Sequence, residues 1–72
     1  MPVSRTRFFH GKKGLYALEF SDRGEGGVMG KAFGPVRPGG RADEVSTVVI
    51  ATGATDEDVE QLLADQLTAR GA

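Results

Sequence analysis

The 72-residue chain contains no cysteine, no tryptophan and no asparagine, and only one isoleucine and one histidine. Without cysteine there are no disulfides, thiolate metal ligands or thiol nucleophiles, and a reducing compartment is favoured. A single histidine, His10, with neither a second histidine nor a cysteine, makes no convincing metal centre. Long apolar runs are missing too. The strongest, Val48 to Ala51, is far short of the roughly 20 residues that cross a bilayer, and the N-terminus has no apolar segment of signal-peptide type. These absences predict a soluble, cytoplasmic protein without a membrane partner.

Turns are abundant. Ten of the eleven glycines and two of the three prolines fall between residues 11 and 53, so the middle of the chain must bend often. With 39% apolar and 26% charged residues the composition is globular. A chain this short forms one domain, residues 1–72, and buries only about 60% of its unfolded surface. Its core is thin, and a partner that adds buried area would stabilise it.

The charges are sorted along the chain. Residues 1–41 carry eight Lys or Arg against three acids, a net +5, whereas residues 42–72 carry seven acids against Arg70, a net −6. If the two parts fold onto opposite faces, each face attracts a charged partner even though the total is near zero.

Apolar periodicity predicts strands at 4–10, 15–20, 28–33 and 45–52 and a helix at 56–70, with a flexible basic loop at 34–44 around Pro35, Pro38, Gly39 and Gly40. A three-residue loop Lys12-Lys13-Gly14 pairs His10 with Tyr16, Phe8 with Leu18 and Thr6 with Phe20. Arg5, Arg7 and Phe9 then lie on the solvated face, with Arg7 opposite Glu19. Slipping by one residue would bury two arginines beside Leu18 and Phe20, which is costly. Gly30 weakens the third strand and predicts an edge position, while β-branched residues on both faces of 45–52 predict a central strand. Thr55 is a good N-cap before Asp56, Glu57 and Asp58, and Val59, Leu62, Leu63 and Leu67 form the apolar stripe of the helix. The expected fold is α+β: a four-stranded, mainly antiparallel sheet (ββββα) with the C-terminal helix packed on one face.

No pattern names a reaction. Glu25 to Ala32 resembles a phosphate-binding loop, but Glu25 stands where the first glycine is needed and Ala32 where Ser or Thr is needed; a glycine-rich turn explains it better. The acids Asp56, Glu57, Asp58 and Glu60 sit on successive helical positions pointing different ways, unlike a calcium loop, and fit the positive end of the helix dipole. With no constellation of catalytic roles, the chain is read as a non-enzyme without cofactor, metal or small-molecule substrate.

The remaining candidates are interaction residues. Arg5, Arg7, Phe9, Lys12 and Lys13, with Arg37 and Arg41 on the rim, combine positive charge with a flat ring, as single-stranded nucleic acid requires. Asp56, Glu57 and Glu60 form an acidic face for a basic partner. The strand-then-helix order, the basic aromatic stretch Arg5-Thr6-Arg7-Phe8-Phe9-His10-Gly11-Lys12 and the acidic helix entry resemble, in architecture over most of the chain, the Whirly and Pur-alpha group of single-strand-binding folds; no specific motif matches. That resemblance implies base contacts for Arg5, Arg7 and Phe9 on the open sheet face and dimerisation through the helix. The favoured expectation is a protein–protein module, either a homo-oligomer or a regulatory or inhibitory protein, virus-encoded ones included, that docks on a larger protein. Single-stranded nucleic-acid binding is the alternative.

Overall fold

The computed structural model describes residues 5–40 and 42–72. Strands β1 (Arg5–Gly11), β2 (Gly14–Gly24), β3 (Gly27–Phe33) and β4 (Glu44–Ile50) form one antiparallel sheet in the order β1-β2-β3-β4, and helix α1 (Asp56–Ala69) follows. This is the expected ββββα architecture. Ser4, expected to open the first strand, and Arg41 of the basic loop lie outside the described residues.

Alternation along the strands places Tyr16, Leu18, Phe20, Val28, Ala32 and Val48 on one face, where they enclose Val59, Leu63 and Leu67 of α1. The helix buries positions spaced by four, and Leu62, expected in the stripe, is 42% exposed. Its start is held by a reciprocal cap. The Asp58 amide donates to the Thr55 hydroxyl at 3.2 Å, and the Thr55 amide donates to the Asp58 carboxylate at 3.0 Å.

Two strand positions differ from expectation. β3 is central and β4 is an edge. Gly30 does not mark an edge; it lies directly beneath the helix, where a Cβ would collide with Val59 and approach Leu63 Cδ1 to 2.9 Å. The two-sided β-branched pattern of β4 has another cause. Val48 faces the helix and Val49 faces away, while a bulge between Ala32 and Phe33 of β3 lets Val45 pack on the core instead of sharing the Val49 face. β2 is also longer than expected, because Ser21 to Gly24 continue the strand and only Glu25-Gly26 form the turn into β3.

The loop after β3 is tied at its base. The Val36 amide donates to the Leu15 carbonyl at 2.7 Å, and the Gly34 amide donates to the Asp43 carbonyl at 3.0 Å.

Candidate interaction surface

The first hairpin decides which side chains are available to a partner. Its loop has two residues, Lys12-Lys13, closed by the pair Gly11 and Gly14, so Arg5 pairs with Phe20, Arg7 with Leu18, Phe9 with Tyr16 and His10 with Leu15. The expected register is wrong by one residue. Arg5, Arg7 and Phe9 therefore lie on the helix side of the sheet, not on the open face, and Arg7 is not opposite Glu19.

The cost of turning two arginines inward is offset by the helix acids. Arg5 Nε donates to Asp56 Oδ2 at 2.5 Å and Arg5 Nη2 to Asp56 Oδ1 at 2.8 Å, a two-pronged pair, while Nη2 also reaches Asp22 Oδ1 at 2.9 Å. Arg7 Nη1 donates to Glu60 Oε1 at 2.6 Å. Both guanidiniums stay partly in water at the flank of the helix, as long basic side chains can. Phe9 packs its ring edge-on against Tyr16, with centroids 6.1 Å apart, and belongs to the margin of the core.

Two arginines of the basic half thus meet two carboxylates of the acidic half on the helix side of the sheet and are neutralised within the molecule. Asp56 and Glu60 are engaged by Arg5 and Arg7, and of the expected acidic face Glu57 alone stays exposed without a described ion pair.

The Arg5 guanidinium, hydrogen-bonded to Asp56, holds that carboxyl below its usual range, against an opposing push from partial burial. A depressed carboxylate stabilises the fold fully above its unfolded pKa, and that contribution disappears as pH falls through the folded value. Thermal melts of wild type and Asp56→Asn should therefore differ most near neutral pH and converge as pH drops below about 4. Added salt should shrink the difference, since the pair is partly exposed. A gap independent of both pH and salt would show that Asp56 acts through packing rather than charge.

Of the other expected site residues, Lys12 and Lys13 crown the hairpin tip. Lys13 and Arg37 line a shallow cleft of about 310 Å³ together with Tyr16, Pro35, Val45 and Arg70. Arg70 was not anticipated there; its guanidinium donates to the Val45 carbonyl at 2.7 Å. The cleft gathers cations without a histidine, and its lining includes no acidic side chain for acid–base work. Among the described residues no group of three His, Cys, Asp or Glu side chains is arranged to hold a metal ion. No described helix is long and apolar enough to cross a membrane.

A further available surface is the sheet face that α1 leaves uncovered. Register places Phe8, Ala17 and Phe33 in one row across β1, β2 and β3; Thr6, Glu19, Lys31 and Thr47 in the next; and Ser21, Met29 and Val49 in a third. Phe8 is 54% exposed and Val49 51%. The two aromatic rings flank the small Ala17, and His10 and Leu15 extend the face toward the hairpin tip. Charge on this face is sparse: Lys31 Nζ lies 3.6 Å from Glu44, the Arg23 guanidinium reaches Met29 Sδ at 3.8 Å, and Glu19 has no described ion-pair partner.

Sequence reasoning assigned Phe8 to the core because it followed the wrong register. The signal that points to this face is the β-branched run of β4, which has an apolar residue for each side of the sheet. The chain matches no known family model, no curated protein and no solved structure.

Proposed function

We propose that this chain is a small protein–protein interaction module that docks through the uncovered face of its sheet. The observation that carries this reading is the grouping of Phe8, Phe33, Met29 and Val49 on a face with one ammonium, one guanidinium and two carboxylates, while the opposite face is filled by α1. An apolar centre with few charges at its core is how protein interfaces differ from ordinary surface.

Single-stranded nucleic acid is the second reading, favoured by the exposed ring of Phe8 and the half-buried ring of Phe33 on either side of Ala17, a platform on which bases stack. It ranks second because phosphate needs net positive charge. Of the cations expected to provide it, Arg5 and Arg7 are engaged by the helix, while Lys12 and Lys13 stand at the hairpin tip and Arg37 in the cleft.

The absence of cysteine makes the test clean. Thr47→Cys places a single thiol on the open face, and Thr68→Cys places one on the exposed side of α1. A fluorophore on the thiol at 47 should lose access to a soluble quencher either as protein concentration rises or in extract of the cells that make the protein, and Val49→Lys should restore access. The fluorophore at 68 should stay accessible throughout. Equal accessibility of both sites under every condition would sink the proposal. Loss of the protection at 47 after nuclease treatment, with fluorescence anisotropy showing binding to short oligonucleotides at low salt, would replace it by the nucleic-acid reading.

A further inference from the structure

The middle row of the open face carries a charge pattern that is its own complement. Glu19 on β2 and Lys31 on β3 are cross-strand neighbours in the middle row, yet Lys31 turns to Glu44 and Glu19 is left without a cation among the described residues. Two sheets that pack face to face keep their strands within about 30° of one another. A two-fold axis along the strands, between β2 and β3, lays each row over itself and exchanges β2 with β3 and β1 with β4. Glu19 then faces the second copy's Lys31, and Lys31 faces the second copy's Glu19. In the neighbouring rows Ala17 receives the second copy's Phe33, Ser21 its Met29, and Thr6 its Thr47. The other in-plane axis, across the strands, would set Glu19 on Glu19 and Lys31 on Lys31, which is repulsive.

Resting on the interaction reading above, we infer that the occupant of the open face is a second copy of this chain, docked sheet to sheet with reciprocal Glu19–Lys31 pairs between copies. The symmetric pair gives the unpaired carboxylate a cation and lays Phe33 over Ala17 and Met29 over Ser21, as a two-fold interface requires of a single surface patch, while Phe8 falls opposite the second copy's Glu44. Its strength is bounded by size. Four strands spaced about 4.8 Å apart and seven residues long at about 3.3 Å each give a footprint of roughly 20 by 23 Å. That is small beside the roughly 800 Å² per partner of a standard interface, so the dimer belongs to the weak, concentration-dependent class.

Sedimentation equilibrium of the full chain, from low micromolar to near-millimolar concentration, tests this. Wild type should pass from monomer to dimer. Glu19→Lys alone and Lys31→Glu alone should each weaken dimerisation by more than about tenfold, since each sets like charges face to face. An equal mixture of the two variants should dimerise again. The two lysines that Glu19→Lys leaves side by side on one copy then meet the two glutamates that Lys31→Glu leaves on the other. This rescue cannot come from folding, as each variant keeps a like-charge pair inside its own chain. A dimer unchanged by either substitution, or a mixture no better than its components, would overturn the reciprocal pairing. If wild type stays monomeric throughout while the thiol at 47 is still protected in extract, the second copy is wrong and the docking face stands. If that thiol is accessible everywhere, both fail.

Discussion

Replacing Leu63 by alanine should lower the melting temperature by tens of degrees. Leu63 is fully buried at the centre of α1, packed over Gly30 among Phe20, Val59 and Leu67. Removing a leucine side chain from such a site loses its transfer free energy and leaves a cavity, together about 2–5 kcal/mol. A domain this size has roughly 4–11 kcal/mol in total and shifts by about 4–8 °C for each kcal/mol. The control is Leu62→Ala, one position along the helix. Leu62 is largely exposed, so its truncation should stay within about 0.5 kcal/mol. Circular dichroism melts of the two variants measure both. Similar losses for the two, or a larger loss at 62, would mean that α1 is rotated about its axis relative to the packing described here.

Gly30→Val should be the most damaging single substitution in the sheet. In most strands replacing glycine is favourable, because glycine gives up more backbone freedom on folding and offers no side chain to pack. Here the space is already occupied. A Cβ at position 30 would overlap Val59, approach Leu63 Cδ1 to 2.9 Å and Phe20 Cδ1 to 3.2 Å, and valine adds two further methyl groups in the same place. Forcing atoms into a filled core costs about 1–3 kcal/mol or more, and Val59, being β-branched, has little freedom to turn aside. Gly30→Ala is the milder version and provides an internal check. Combined with Val59→Ala it should cost less than the sum of the two single changes, because one alanine makes the room that the other needs. Additive losses would place the conflict elsewhere than under the helix.

Gly30 also shows why part of the fold was legible in the sequence and part was not. Read along the strand, a glycine between Met29 and Lys31 suggests weak pairing and hence an edge. In the structure it is central for a reason that no strand pattern contains: a helix much later in the chain lies directly on it. The Val45 to Ile50 run presents the same situation in reverse. Apolar residues on both faces suggested a strand covered on both sides, yet β4 is an edge whose Val49 is half exposed, which is what makes the open face a candidate surface.

The sequence by itself determined the number and order of the elements, the α+β class, the helix start at Thr55 with its cap, and the burial of Val59, Leu63 and Leu67, because all of these rest on spacing and capping within a few residues. Only the tertiary structure decided the register of the first hairpin, and with it which β1 residues join the candidate surface. Lys12-Lys13-Gly14 is compatible with a two- or a three-residue loop, and the choice between them turned on the cost of inward-facing arginines. That cost is offset by Asp56 and Glu60, distant in sequence, which meet Arg5 and Arg7 once α1 lies across the sheet. A one-residue slip sends alternate side chains to opposite faces, so this long-range electrostatic pairing moved Arg5, Arg7 and Phe9 under the helix flank and turned Thr6, Phe8 and His10 outward.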